Sequence, residues 1–172
     1  INRKLGRRNI VLTGMRGTGK SKIGGALAKR MKRKFIDMDA EITASIEMSI
    51  ADYVKKKGWK KFRIVEKKIA ADVSRTSGAV IATGGGTVMD HENLKNLQSG
   101  GIVVLLDCPL SIMKKRLGSG MSRPALTGGN SVKELAAIYL KRRKKYRESA
   151  DIIIDTSAHT ADRKSDLRKK IS

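Results

Sequence analysis

A glycine-rich octapeptide carries the residue types that hold phosphate groups. Its sequence, GMRGTGKS at residues 14–21, has the spacing G-x-x-x-x-G-K-[ST]. Glycines let backbone N–H groups turn towards phosphate oxygens, and the start of a following helix adds partial positive charge. Lys20 would reach the terminal phosphates, and Ser21 would offer a hydroxyl to Mg²⁺. In preference to an ordinary glycine-rich turn, we predict a nucleotide site formed by Gly14, Gly17, Thr18, Gly19, Lys20, Ser21 and Lys22.

Two carboxylates follow a second apolar segment. Phe35 and Ile36 precede Asp37, and Asp39 lies two residues further along the chain. In a parallel α/β sheet, ligands collect at the carboxyl ends of the strands, where this pair would lie. From alternation along the strand, we expect one carboxylate to face a metal ion through water and the other to face a substrate hydroxyl. A cap on the next helix is the alternative role for such a pair.

Short apolar runs and helical periodicities alternate along the chain and would place both motifs at strand ends. Buried strands are predicted at residues 9–13, 35–37, 79–82, 102–106 and 152–154. Helices are predicted at residues 20–31, 42–46, 50–54, 62–73, 109–117 and 132–149, with a break at Gly58 and a polar helix at the C-terminus. Five strands alternating with helices predict an α/β fold, a three-layer sandwich around a five-stranded parallel sheet.

The bulk composition limits the class of protein. The chain has 172 residues, 40% of them hydrophobic, which predicts one domain over residues 1–172. No apolar run approaches the ~20 residues that a membrane helix requires, and Cys108 has no second cysteine with which to form a disulfide. We expect a cytoplasmic monomer without membrane contact. Because the chain begins with Ile1, we also expect it to be processed or to be part of a longer polypeptide.

The charge is strongly positive, since 38 Lys and Arg against 16 Asp and Glu give a formal net charge of +22. Such a field attracts anions of many kinds. Nucleic acid is disfavoured as a partner, because only 3% of the residues are aromatic and no basic segment is interleaved with the rings that stack on bases. We interpret the basic clusters as solvated helix faces.

The order of these motifs resembles the shikimate kinases along residues 9–156. The resemblance rests on the octapeptide, Asp37, Asp39, residues 49–52, Phe62, Arg63, Glu66, Gly84 to Gly86, Arg123 with Pro124, and Arg142 four residues before Tyr146. The chain departs from the family at Trp59, Lys60 and Lys61, where an acidic residue usually follows the glycine, and at Thr43. The resemblance implies a nucleoside-monophosphate-kinase-like phosphate-loop fold. It also implies transfer of the γ-phosphoryl group of ATP, with Mg²⁺, to the 3-hydroxyl of shikimate.

On the nucleotide side, the resemblance implies roles for several residues. Ser21 and Asp37 would hold Mg²⁺ directly or through water. Arg123 lies in a Gly- and Ser-rich stretch without helical period, and it would close over the transferring phosphate as part of a lid at about residues 117–130. Arg116, just before the lid, matches a family position near the adenine, and a solvated helix surface is the alternative for this residue.

On the acceptor side, the implied site lies within a substrate-binding subdomain at about residues 39–76 and in later segments. Asp39 would orient the acceptor hydroxyl. Arg63 and Arg142 would bind the carboxylate of shikimate, and Glu66 would hold Arg63 in place. The triple glycine Gly84, Gly85 and Gly86 would bring backbone amides against the ring.

Two other functions share some of these features. Another small-metabolite or nucleoside-monophosphate kinase of this fold would use Arg63 and Arg142 for a different anion, whereas the triple glycine with Asp39 favours a compact polyhydroxy ring. A non-catalytic nucleotide-binding module would dock its basic surface on RNA, on an acidic partner or on a neighbouring domain. This second alternative is disfavoured by the presence of Lys20, Asp37, Asp39 and Arg123 together.

Overall fold

A parallel sheet forms the centre of the computed structural model, which describes residues 6–117 and 131–157, with the backbone alone at 131–133. Its strands are β1 (Asn9–Thr13), β2 (Phe35–Asp37), β3 (Val80–Ala82), β4 (Gly101–Asp107) and β5 (Ile152–Asp155). Their order is β2-β3-β1-β4-β5, and each neighbouring pair is parallel. The carboxyl ends of the strands therefore meet at one edge, where α/β proteins bind ligands.

Helices cover both faces of this sheet. They are α1 (Lys20–Met31), α2 (Met38–Ile46), α3 (Ile50–Ser74), α4 (His91–Gly100), α5 (Leu110–Leu117) and α6 (Ser131–Glu148), with a single 3₁₀ turn at Thr87–Met89. Helix α1 packs on β1, β2 and β3 on one face. The other face is covered by residues of α3, α4, α5 and α6. The predicted three-layer sandwich with a five-stranded parallel sheet is confirmed.

Successive residues of the central strand β1 pack into two different hydrophobic clusters, one on each face of the sheet. Ile10 and Leu12 pack with Ala28 of α1. Val11, between them, packs on the opposite face with Ala70 of α3. The three β1 residues are almost completely inaccessible to solvent. A strand buried on both faces is typical of a parallel sheet and explains why its sequence is a continuous apolar run.

Helix α3 contains the break that the sequence predicts at Gly58. The structure has one element over Ile50–Ser74 with a kink at Gly58, whose backbone angles are φ 79° and ψ 163°. A side chain disfavours this conformation, and glycine adopts it readily. Gly58 therefore separates two helical segments, and α3 packs against α2 and α4.

Helix α4 lies where the sequence analysis predicted no element. Asp90 caps its N-terminus, with Oδ1 accepting hydrogen bonds from the backbone N–H groups of Glu92 (2.9 Å) and Asn93 (3.0 Å). Leu94 and Leu97 are the apolar residues that α4 buries. A capping aspartate followed by two leucines three residues apart is a weak helix signal, because polar residues fill most of the remaining positions.

Two predicted elements fall outside the described residues. They are the C-terminal helix and all of the predicted lid except Leu117, which ends α5. Among the described residues, no helix is both long enough and apolar enough to cross a membrane.

Candidate active site

The phosphate loop, residues 14–21, turns between β1 and α1. A Cβ atom on Gly14 would overlap the carbonyl oxygen of Leu106 in β4, so the loop approaches the sheet too closely for a side chain. Lys20 lies over the loop and donates from Nζ to the carbonyl oxygens of Gly14 (2.8 Å) and Met15 (3.1 Å). The N-terminus of α1 has no side-chain cap. Its first N–H groups can therefore bind a phosphate.

The other predicted nucleotide residues lie around the same turn. Gly17 and Gly19 have φ angles of 85° and 94°, and Gly19 is the N-cap residue of α1. Thr18 is buried, and its Oγ1 donates to the carbonyl of Met15 at 2.8 Å, so this hydroxyl supports the loop. Lys22 is exposed in the first turn of α1. The backbone N–H of Lys22 is one of the first N–H groups of α1, which can bind a phosphate.

Ser21 and Asp37 form a pair beside the phosphate loop. The hydroxyl of Ser21 donates to Oδ2 of Asp37 at 2.6 Å. The other carboxylate oxygen, Oδ1, accepts from the backbone N–H of Asp39 at 3.0 Å and so caps α2. Asp37 therefore both caps α2 and contacts Ser21 of the phosphate loop. A hydroxyl and a carboxylate are hard oxygen ligands, so the pair fits Mg²⁺.

Asp39 faces a different part of the site from Asp37. The expectation that strand alternation separates the two carboxylates was wrong, because residues two apart in a strand share one face. The cause is a change of element: β2 ends at Asp37 and α2 begins at Met38. Asp39 lies against the triple glycine, where a Cβ atom on Gly84 would be only 3.1 Å from its Oδ1.

Arg63 is fixed by an ion pair and by two aromatic rings. Its Nη1 donates to Glu66, whose side chain is only 2% exposed. The second oxygen of Glu66 accepts from the hydroxyl of Thr87 at 2.9 Å. The guanidinium carbon lies 5.4 Å from the ring centre of Trp59 and 5.3 Å from that of Phe62. Arg63 keeps 39% of its side chain exposed and can reach a ligand.

The triple glycine connects the acceptor residues to the phosphate loop. Nη1 of Arg142 donates to the carbonyl oxygen of Gly85 at 2.9 Å, and the hydroxyl of Tyr146 donates to the same oxygen. A Cβ atom on Gly86 would be 2.8 Å from both terminal nitrogens of Arg63, and one on Gly85 would be 3.8 Å from two backbone atoms of the phosphate loop. Both predicted carboxylate-binding arginines therefore contact the triple glycine.

The comparisons with known proteins agree with this geometry. A family model of shikimate kinase matches residues 16–171. The chain is 35% identical over 162 residues to shikimate kinase 2 of Escherichia fergusonii, with 92% of this chain and 89% of that protein covered. The chain belongs to the shikimate kinase family. It is accordingly an ATP-dependent phosphotransferase that uses Mg²⁺.

Further shikimate kinases are similar in sequence and in fold. The protein from Prochlorococcus marinus is 43% identical over 150 residues, with 87% of this chain and 75% of that protein covered. The structure of the shikimate kinase from Acinetobacter baumannii in complex with shikimate matches with a TM-score of 0.86 at 30% identity. That match covers 99% of this chain and 93% of the other.

Arg116 joins the end of α5 to the nucleotide side of the kinase. Its Nη1 donates to the hydroxyl of Thr156 at 3.1 Å and to the carbonyl of Gly17 at 3.5 Å, and its Nη2 donates to the carbonyl of Thr156. Thr156 follows β5 and approaches the carbonyl of Thr18 at 3.0 Å. These contacts place the guanidinium at the rim of the phosphate loop, and its role near the adenine stays a prediction. Arg123 lies outside the described residues.

Three residues of the kinase site had no role in the sequence analysis. Thr87 contacts Glu66 from 21 residues away, and Thr156 contacts the phosphate loop from 138 residues away. No local pattern predicts such contacts. Tyr146 does have a local signal, because it lies one helical turn after Arg142, and residues four apart in a helix share a face.

Proposed function

We propose that the site at the carboxyl edge of the sheet transfers the γ-phosphoryl group of ATP to the 3-hydroxyl of shikimate. The products would be shikimate 3-phosphate and ADP, in the chorismate pathway to the aromatic amino acids. The observation that carries the proposal is the closeness of Gly85, the acceptor of Arg142, to the phosphate loop: a Cβ atom on Gly85 would be 3.8 Å from two backbone atoms of the loop. An anion held by Arg63 and Arg142 would therefore lie beside the phosphates of a bound nucleotide. The likeness to a shikimate kinase in complex with shikimate supports the same acceptor here.

The phosphate loop binds ATP mainly through its backbone. The first N–H groups of α1 face the phosphates, and Nζ of Lys20 adds a positive charge where negative charge moves during the transfer. Ser21 and Asp37, whose side-chain oxygens lie 2.6 Å apart, would hold the Mg²⁺. When bound, this ion neutralises phosphate charge and orients the terminal phosphate.

The residues on the acceptor side, here called the acceptor region, are Asp39, Arg63, Glu66, Gly84 to Gly86 and Arg142. They orient shikimate in line with that phosphate. Arg63 and Arg142 bind its carboxylate, and the buried carboxylate of Glu66 keeps the Arg63 guanidinium in place. Asp39 holds the 3-hydroxyl beside Gly84 and takes its proton as the bond to phosphorus forms. A loose transition state requires little basicity, so Asp39 contributes mostly by positioning.

The remaining roles follow from the family resemblance. A lid at about residues 117–130 brings Arg123 against the transferring phosphate and excludes water. Arg116 contacts the adenine from the rim of the phosphate loop. The subdomain at about residues 39–76 moves with the bound acceptor. We expect the kinase to be a monomer, which gel filtration tests, and to be located in the cytoplasm, which cell fractionation tests. We do not expect nucleic acid to be a partner.

A coupled assay of ADP release with MgATP tests the proposed function. We expect release to be stimulated by shikimate and not by gluconate, AMP or buffer alone. Stimulation by another acceptor would move the substrate assignment while leaving the phosphate chemistry in place. ADP release that no acceptor changes would overturn the proposal in favour of a binding module.

The variant Asp39→Asn tests the division of roles within that assay. Because Asp39 faces the triple glycine and not Ser21, we expect kcat to fall by about a hundredfold or more with the KM for ATP nearly unchanged. Loss of ATP binding in this variant would contradict the role of Asp39 on the acceptor side.

A further inference from the structure

Two donors from helix α6 converge on one acceptor in the triple glycine. The carbonyl oxygen of Gly85 accepts from Nη1 of Arg142 at 2.9 Å and from the hydroxyl of Tyr146. The two donor residues lie one turn apart on the same face of α6. A carbonyl oxygen has two lone pairs, so it can accept both hydrogen bonds at once. Arg142 has a predicted substrate role, whereas Tyr146 has none.

The direction of this carbonyl determines the direction of the next N–H group. A trans peptide bond is planar, so the carbonyl of Gly85 and the N–H of Gly86 point in opposite directions. Since the carbonyl points towards α6, the N–H of Gly86 points away from α6. Glycines offer little steric resistance to rotation of the peptide plane. The hydrogen bonds from α6 therefore help to hold this peptide in one orientation, within a turn closed by the hydrogen bond from the N–H of Thr87 to the carbonyl of Gly84 (3.3 Å).

The hydroxyl of Tyr146 is suited to this task at every pH used in kinase assays. The side chain is only 1% exposed, and burial raises the pKa of Tyr146, although the nearby Arg142 opposes the shift. The hydroxyl therefore keeps its proton and remains a donor. Its ring packs in the core with Met15 of the phosphate loop, whose Sδ lies 3.9 Å from the hydroxyl. The ring thus provides packing, and the hydroxyl provides the contact with Gly85.

We propose that Tyr146 is a positioning residue for the acceptor. Its hydroxyl holds the Gly85–Gly86 peptide in the orientation in which the Gly85 carbonyl also accepts from Arg142, and so keeps the guanidinium at the triple glycine, where shikimate binds. The proposal rests on the proposed function, because it requires the triple glycine and Arg142 to bind the acceptor. It predicts a defect in shikimate binding that spares the nucleotide.

The variant Tyr146→Phe removes the hydroxyl and keeps the ring. We expect the KM for shikimate to rise about fivefold to tenfold, the equivalent of one lost hydrogen bond, with kcat and the KM for ATP changed less than about twofold. Trp59, the single tryptophan, packs against Arg63 and gives a fluorescence signal for binding without turnover. The Kd for shikimate from this signal should rise by the same factor, in a protein whose Tm confirms that it is folded.

Tyr139→Phe is the matched control, because Tyr139 lies on the same helix and its hydroxyl donates to Asp107 at 3.0 Å, away from the triple glycine. It should leave the KM for shikimate unchanged. The proposal is overturned if Tyr146→Phe binds shikimate normally, or if it weakens ATP and shikimate equally. An effect of the same size in Tyr139→Phe would also overturn it.

A third variant separates this proposal from the proposed function. If Arg142→Ala weakens shikimate binding and Tyr146→Phe does not, the positioning role alone is wrong. If wild-type kinase shows no shikimate-dependent ADP release, the proposed function itself fails.

Discussion

The phosphate loop and the acceptor region of this kinase are held together in different ways. Lys20 donates to carbonyl groups five and six residues before it, so the loop closes on itself. The acceptor region instead joins distant elements: Arg142 contacts Gly85, which lies 57 residues earlier, and Thr87 contacts Glu66, which lies 21 residues earlier. The nucleotide site is thus formed largely within one local segment, whereas the acceptor site depends on how separate elements pack.

This difference indicates which property each region controls. Backbone N–H groups bind any phosphate of the right spacing, so the loop supplies the chemistry and little acceptor specificity. Charged side chains such as Arg63 recognise a carboxylate by geometry, and their positions depend on buried partners such as Glu66. We therefore expect changes in the loop to abolish turnover, and changes in the carboxylate-binding residues on the acceptor side mainly to weaken shikimate binding while sparing the nucleotide.

The largest effect should come from Lys20→Ala. Removing the positive charge that Lys20 places over the loop should lower kcat by about a hundredfold to a thousandfold at every acceptor concentration. Steady-state assays with saturating shikimate measure this loss. Lys29→Ala, an exposed lysine in the last turn of α1, is the control and should be fully active. Near-normal turnover in Lys20→Ala would show that the loop is not the catalytic half of the site.

The local half of the site was the half that the sequence predicted best. The octapeptide contains its own hydrogen-bonding partners, and the strand and helix on either side have strong periodicities. Both elements were placed correctly at β1 and α1. A motif of this kind can be interpreted from eight consecutive residues because its fold is determined within them.

The acceptor half could not be derived in the same way. Arg63 and Arg142 are two of 38 basic residues, and only the family resemblance singled them out. Nothing local indicates that Thr87 meets Glu66. Strand alternation was the wrong reason to separate Asp39 from Asp37, since the direction of Asp39 depends on the residue at which a strand becomes a helix. Boundaries and long-range contacts are what single-sequence reasoning determines least well.

A smaller effect should come from Gly86→Ala, which tests the acceptor half. Its Cβ atom would lie 2.8 Å from both terminal nitrogens of Arg63 and displace the guanidinium from Glu66. We expect the KM for shikimate to rise about tenfold, as for a lost charge-assisted hydrogen bond, with the KM for ATP unchanged. Stability should also fall, because the displaced guanidinium leaves the buried carboxylate of Glu66 with Thr87 as its partner.

Gly25→Ala is the matched control for this substitution. A Cβ atom on Gly25 meets nothing closer than 4.0 Å, and the residue lies within α1. Alanine should therefore be tolerated and should stabilise the helix by up to about 1 kcal/mol. A rise in the KM for ATP in Gly86→Ala as large as that for shikimate would remove the distinction between the two halves.

The smallest effect should come from Asp90→Ala, which tests the scaffold of the acceptor half. Asp90 caps α4, and Lys67 of α3 lies 3.7 Å from its carboxylate. Loss of the cap should cost about 1 kcal/mol of unfolding free energy at neutral pH, as measured by urea denaturation, and should leave the KM for ATP unchanged. Asp90→Asn retains a capping oxygen and should cost less.

The pH dependence of that loss has a definite sign. The backbone N–H of Asn93 holds the pKa of Asp90 below its usual range; burial opposes this shift, and the positive charge of Lys67 adds to the lowering. A carboxylate with a lowered folded-state pKa stabilises the fold above its unfolded-state pKa, and this stabilisation disappears as the pH falls through the folded-state value. The difference in stability between wild type and Asp90→Ala should therefore shrink as the solution is acidified. A difference that stays constant down to about pH 4, near the pKa of an unfolded aspartate, is compatible with the charged cap, whereas one that grows on acidification would contradict it.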